Sequence, residues 1–418
     1  MLISNHRISK LVEYYTENSN EVSDPLRYSF DNLLIGNEEA QIAKRSFLKT
    51  QETLMYGEDL KKYQKNLSQY IGTEESQLLL FYTAHGALSF VLEHIKNTYP
   101  HKNEVVLSAF TCTVVVNAVT AAGLKPVFID IQTDTYGLDI LNLKEILKER
   151  KDEILCVITQ HLFGFVSKNY QEIVDLCKSY NILTVGDCAP SLGALYKGKS
   201  IGLLEDFAIF SSQASKSINT YTGGILVINK DIRVINLNYE KLEFPDIQHL
   251  RSILEAYYLQ YLKKTTNKWY LPFFLIRHKS KFISSVHPLE RNDNDVQGLQ
   301  APVLHHNKVY IRRFPNVLAM IGLIQLSKLE TFIKRRTAAK DYILANFGGK
   351  LVIEPNSRPA FLRIPIMKTE EYKKNVGYEK NYLVGKWFPY YFGDCPNAKA
   401  AAKKLVNYTM FKNYDDIK

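Results

Sequence analysis

"DFAIFSSQASKSINTYTGGILVIN", residues 206–229, joins two short apolar, β-branched runs through a polar bend. The bend carries serines, a glutamine and a single lysine, Lys216. Two readings compete. One is a surface turn with a solvated lysine. The other is a lysine held inside a cleft, with hydroxyls nearby to bind a phosphate. The flanking sequence has to choose between them.

Upstream, from about residue 76 to 230, short apolar runs alternate with stretches of helical spacing. "QLLLFYT" leads into "HGALSFVLEHIKNTY", "EVVLSAF" into "TVVVNAVTAAG", and "KPVFIDI" into "ILNLKEILKER". "ILCVITQHLFG" and "YQEIVDLCKSYN" follow, and "ILTVGDC" closes the series before the opening stretch. Uniformly apolar strands separated by helices predict βαβ units, and so an α/β fold with a mostly parallel sheet flanked by helices. In such sheets ligands sit beyond the carboxyl ends of the strands. Those ends carry Thr83, Ala84 and His85, Phe110 to Cys112, Gln160 and His161, Asp187, and Ser211 to Lys216.

Downstream, residues 235–309 are aromatic, apolar and basic together. They read as an insertion that packs as a helical lid, forms a dimer contact or rests on a membrane surface through 250–285. From 310 to 418 the sequence predicts a smaller α+β domain, opened by a long helix in "NVLAMIGLIQLSKLETFIKRRTAAKDYILANF" and closed by another in "CPNAKAAAKKLVNYTMF". Residues 1–234 form the large domain, with a helical segment at its start.

The chain has 418 residues, 46% of them hydrophobic, which is enough for a large core and two domains. No run of about 18 uncharged apolar residues predicts a membrane-spanning helix. The first residues are charged where a signal peptide needs an apolar stretch, so a cytoplasmic location is expected. The five cysteines lack metal-ligand spacing, and no metal is expected. The formal net charge of +10 favours anionic small molecules, and no nucleic-acid motif accompanies it.

Asp187 follows a hydrophobic strand, where a carboxylate needs a partner: a protonated pyridine nitrogen or an ion pair. Lys216 supplies an amine able to condense with an aldehyde. "YTAHGAL" places small residues at a helix start, which is either a plain cap or an anion site. Ser211 adds a hydroxyl. A lysine, an acid and phosphate donors are the set that pyridoxal 5'-phosphate (PLP) requires.

With these residues assembled, the chain resembles the DegT/DnrJ/EryC1/StrS sugar aminotransferases. The resemblance rests on "YTAHGAL", "LSAFTCTVVVNAVTAAGLKPVFIDIQTDTYGLD", "TQHLFGF", "GDCAPSLGALYKGKSIG", the opening stretch, "RRFPNVLAMIGLIQLSKLETFIKRR" and "CPNAKAAAKKL". Serine, four residues, lysine, six residues and Gly-Gly form its most specific spacing. It implies the PLP-dependent transferase fold of type I with a seven-stranded sheet, a homodimer, and Lys216 and Asp187 as the catalytic pair. Thr83, Ala84, His85, Ser211, Cys112 and His161 would line the cofactor, and Arg313 and Phe110 would meet the substrate. The implied reaction moves an amino group from glutamate to a keto group on a nucleotide-linked sugar. A different keto acceptor, or a non-catalytic binding scaffold, is the alternative.

The chain departs from the family pattern at four places. Pro190 stands where a glutamine meets the cofactor's ring hydroxyl, and Cys112 where an aromatic ring stacks on it. Thr83-Ala84-His85 replaces Ser-Gly-Thr, and Ile311 replaces an asparagine. The segment between Lys216 and Arg313 is also longer than in typical members.

Overall fold

The computed structural model describes residues 35–229, 238–265, 299–300, 311–347, 349–367, 384–385 and 390–408. The start of the large domain and most of the 235–309 insertion, including 266–285 of the expected membrane contact, lie outside the described residues.

Nine strands come first: β1 (Leu78–Phe81), β2 (Glu104–Ser108), β3 (Lys125–Ile129), β4 (Ile154–Gln160), β5 (Leu183–Asp187), the short β6 (Leu195–Tyr196) and β7 (Lys199–Ser200), β8 (Phe207–Ser211) and β9 (Gly224–Ile228). Seven of them form one sheet in the order β1-β9-β8-β5-β4-β2-β3. All neighbours are parallel except the two pairings of β9. The mostly parallel seven-stranded sheet is therefore present. Every residue of β2 and of β4 is buried, as expected of strands covered on both faces.

Side-chain alternation divides the core. Phe207 and Ile209 of β8 and Leu226 and Ile228 of β9 face one helical layer, which includes Ala84–Thr98 and Thr113–Ala121. Ala208, Phe210, Ile225 and Val227 face the other, built from the helices Asn37–Ser46, Glu58–Ile71 and Asn316–Phe347. This is the two-residue period of a strand read out in packing. The helix Ile247–Thr265, inside the expected insertion, also contributes Leu250, Leu254 and Tyr257 to this second layer.

The helix Asn316–Phe347 is apolar enough to cross a membrane by length and composition over Asn316–Ala345, but more than half of its most apolar window is buried in the molecule. It is a core helix. Gly322 packs tightly against Glu58–Ile71: a Cβ there would lie 2.5 Å from the ring of Tyr63, which is 1% exposed. Helix propensity favours alanine over glycine by about 1 kcal/mol. The collision with an immobile ring costs about 1–3 kcal/mol. Gly322→Ala is therefore expected to lower stability, and urea denaturation checks the sign.

The rest comprises β10 (Leu299–Gln300), β11 (Ser357–Arg358), β12 (Ile364–Met367), β13 (Val384–Gly385), β14 (Tyr390–Tyr391) and β15 (Leu405–Tyr408). Here one expectation is corrected. The last predicted helix covers only Pro396–Lys404, and Leu405–Tyr408 becomes a strand between β12 and β13. The alanines and lysines favour the helix. The apolar Leu405, Val406 and Tyr408 are buried in a satellite core only by pairing as a strand.

Candidate active site

The site grows from the carboxyl ends of β1, β8, β5 and β4. After β1 the chain passes through Thr83 into the helix Ala84–Thr98, with Thr83 as N-cap: its hydroxyl accepts the Gly86 N–H at 2.8 Å. First-turn N–H groups have no intrahelical acceptor, and the helix dipole adds positive potential there. Ser211 ends β8. Its hydroxyl donates to the Gly223 carbonyl at 3.3 Å and accepts the Gln213 N–H at 3.3 Å.

Gly223 and Gly224 lock these two parts together. A Cβ on Gly224 would lie 2.4 Å from the Thr83 carbonyl oxygen and 2.6 Å from Ala84 Cα, and one on Gly223 would lie 2.0 Å from Ser212 Oγ. The glycine pair lets the serine bend and the helix start approach one another. Gly224→Ala is expected to push the Thr83–Ala84 backbone away, costing about 2 kcal/mol or more in stability and weakening phosphate binding. Chemical denaturation and phosphate titration of the variant check this.

Asp187 ends β5, paired in register with Gln160 and Ile209. Burial pushes its carboxyl above the ordinary range. The Lys216 ammonium and the Ala189 N–H, 3.2 Å from Oδ1, pull it partly back. The lysine of the bend and the acid of the strand therefore share one electrostatic environment. Both residues keep some accessible surface, as do Ala84, His85, Cys112, Ala189 and Gln213, in segments otherwise buried. These partly exposed residues follow the carboxyl ends of β1, β2, β5 and β8.

The loop after Lys216 is held from behind. Gln325, on the long helix, accepts the Asn219 N–H at 3.0 Å, and the Tyr257 hydroxyl donates to the Asn219 carbonyl at 3.1 Å. Arg336 donates to the Ser217 carbonyl at 3.3 Å, and the Thr222 hydroxyl donates to the Tyr82 carbonyl at 2.6 Å. Gln325 is fully buried. Its signal in the sequence is a lone amide in an otherwise apolar helix face.

His161, next after β4, is fully buried; its N–H donates to the Asp187 carbonyl at 3.1 Å. Behind it stands Glu205, which sequence reasoning missed. The Glu205 carboxylate takes hydrogen bonds from Thr159 at 2.7 Å and from Tyr170. Burial pushes its carboxyl up, but its interactions with His161, Tyr170 and Thr159 together outweigh burial and hold it below the ordinary range.

The remaining expected residues lie as follows. Cys112 is the N-cap of Thr113–Ala121 and half-buried between two core clusters. Phe110 is 1% exposed, with its ring centroid 6.3 Å from that of Tyr136. Its ring packs in a core cluster with Ala109, Leu162 and Phe163. Arg313 bridges to Phe81, pairs with Glu240 at 3.1 Å and lies over the rings of Tyr239 and Phe244. Arg312 pairs with Glu243 at 3.4 Å. Pro190 is buried in a turn closed by the Ser191 N–H on the Cys188 carbonyl at 2.9 Å, and Ile311 packs on the core. No group of three or more His, Cys, Asp or Glu side chains suited to a metal exists among the described residues.

The arrangement fits PLP: a cup of helix N-terminus and serine for phosphate, a carboxylate for the ring nitrogen and an amine for the aldehyde. Comparison with known proteins agrees. The model of the DegT/DnrJ/EryC1/StrS aminotransferase family matches residues 35–237. The chain is 26% identical over 259 residues to a GDP-perosamine synthase of Escherichia coli O157:H7, covering 62% of this chain and 56% of that protein. It thus spans little more than half the length of that relative. It is 27% identical over 382 residues to an uncharacterized protein of Methanocaldococcus jannaschii, covering 85% of this chain and 86% of the other. A putative sugar aminotransferase of Streptococcus pneumoniae, solved in its PLP form, has the same fold, with a TM-score of 0.62 at 19% identity over 92% of this chain and 93% of the other.

Proposed function

We propose that this chain is a PLP-dependent aminotransferase of the DegT/DnrJ/EryC1/StrS family, whose model matches residues 35–237, and that it moves an amino group from glutamate to a keto group of a nucleotide-linked sugar. The observation that carries the chemistry is that the Lys216 ammonium acts on the buried Asp187 carboxyl at the carboxyl end of β5, while Gly224 seats Thr83 and Ala84 against the strand that follows the Ser211 bend. The sugar half of the reading draws on relatives named GDP-perosamine synthase and UDP-4-amino-4,6-dideoxy-N-acetyl-beta-L-altrosamine transaminase. The net charge of +10 suits a diphosphate-bearing substrate.

When bound, PLP supplies an aldehyde that condenses with amines and a ring that accepts the electron pair of the donor's α-carbon. Thr83, Ser211 and the backbone of Ala84 and His85 hold its phosphate. Asp187 keeps the proton on the ring nitrogen. Lys216 would supply the amine, Nζ, that holds the aldehyde. The same Nζ, when free, would serve as the base that moves the proton at the donor's α-carbon. The reading includes a homodimer, which light scattering tests.

The experiment is spectroscopic. Purified protein loaded with PLP is expected to show a band near about 420 nm, the region of a lysine-bound cofactor. L-glutamate bleaches it, and a GDP- or UDP-linked keto sugar restores it with formation of an aminated sugar seen by mass spectrometry. A protein that takes up no PLP at saturation overturns the proposal.

A further inference from the structure

Glu205 and His161 form a fully buried pair that the chemistry above does not use. Nε2 of His161 lies 3.3 Å from Oε1 of Glu205. The other ring nitrogen, Nδ1, receives the backbone N–H of Ser167 at 3.2 Å. An amide N–H can only donate, so Nδ1 carries the lone pair and the ring's proton sits on Nε2, donated to Glu205. The Ser167 hydroxyl, 3.4 Å from Nδ1, fits as a second donor. The Tyr170 ring stands edge-on to the imidazole at 4.6 Å and 85°.

The pair is tied to the site at three points. The His161 N–H holds the Asp187 carbonyl. The Ser191 hydroxyl, from the turn just after Asp187, donates to the His161 carbonyl at 2.6 Å. A Cβ on Gly186, one residue before Asp187, would lie 3.0 Å from Glu205 Oε1, so the carboxylate rests against β5 itself.

We propose that Glu205 is a positioning residue for this site: by accepting the Nε2 proton of His161 it locks that imidazole as one neutral tautomer behind Asp187. The proposal rests on the PLP reading for its functional consequence. An imidazolium at this place would compete with the ring nitrogen for the Asp187 carboxylate. A neutral, fixed imidazole leaves Asp187 to the cofactor and to Lys216. The groups facing Glu205 are Thr159 and His161 from the end of β4, Tyr170 and Cys177 from the helix Tyr170–Ser179, and Cys188 beside Asp187. Its neighbour Asp206 is turned to the Thr184 N–H and hydroxyl.

Nitrogen-15 NMR of histidine-labelled protein, without cofactor, tests the tautomer. His161 is expected to show the single-tautomer Nε2–H pattern of a neutral ring. In Glu205→Ala the single-tautomer pattern is lost and PLP affinity falls on the order of tenfold, the scale of one lost buried hydrogen bond. Glu205→Gln keeps an acceptor oxygen and restores both. A doubly protonated wild-type His161 overturns the proposal, and so does a Glu205→Ala protein with the wild-type pattern and affinity. Should Glu205→Ala not fold, the wild-type spectrum decides. Failure to take up any PLP would sink the functional reading and leave the tautomer measurement standing.

Discussion

Replacing Lys216 with alanine is expected to lower kcat/KM by roughly 10³-fold or more, the scale for losing a covalent nucleophile. The visible band of the bound cofactor disappears with it. A lysine on a surface turn predicts something else: surface substitutions change stability by about 0.5 kcal/mol at most and leave chemistry intact. Three features favour the large effect. Lys216 is half-buried, its ammonium acts on Asp187, and its loop is anchored by Gln325, Tyr257 and Arg336. Lys216→Arg separates two contributions. It keeps a positive charge near Asp187 but does not condense with the aldehyde, so the fold and the acid's environment are retained while the band is lost. Absorbance and amination rates of both variants, with circular dichroism as the control, make the comparison. Wild-type turnover in Lys216→Ala would end the assignment.

Asp187→Asn is expected to improve the cofactor-free protein while disabling the loaded one. Burial raises the Asp187 carboxyl above its ordinary range. The folded state therefore binds that proton more tightly than the unfolded state, where the pKa is about 3.9. The residue's contribution is favourable below that unfolded value and is lost as pH rises through the folded one. Glu205 has the opposite sign. Its depressed carboxyl adds stability above the unfolded value of about 4.3, lost as pH falls through the folded one. Asparagine at 187 removes the first effect and leaves the second. Without PLP, the variant's melting temperature at neutral pH is expected to rise by about 1–3 °C. With PLP the ring nitrogen loses its anionic partner, and turnover falls by roughly 10²–10³-fold. Calorimetry across pH with and without PLP, beside amination rates, checks both halves. The trade belongs to a residue kept for chemistry at the expense of stability.

Much of this was legible before any coordinates. The strands of the sheet announce themselves because a parallel strand covered on both faces has no polar alternation to confuse it with a surface element. Asp187, Ser211 and Lys216 stand out as polar groups at the ends of such runs. The antiparallel course of β9 was hidden, because strand direction depends on where the chain goes next and not on residue period. Glu205 was hidden too. "LLEDF" reads as a solvated turn before a strand. Only the folded chain brings Thr159, His161 and Tyr170 onto that carboxylate from positions 35 to 46 residues away. Gly-Gly at 223 and 224 was legible as part of the Ser211–Lys216 spacing, but its tight approach to Thr83 is a tertiary fact. The switch from helix to strand after Lys404 was lost for the same reason, since a single apolar run decides its structure by the partner it meets.

The pairing of β1 with β9, Leu78 opposite Val227, also sets a timetable for biosynthesis. A nascent chain carries Thr83 out of the ribosome long before Gly224, the residue against which it is seated. Closing so distant a contact demands an entropic toll that local helices do not, so this corner assembles after them. Vitamin B6 therefore meets a competent pocket only once synthesis has passed the glycine pair, and truncated products ending earlier have no means of retaining it.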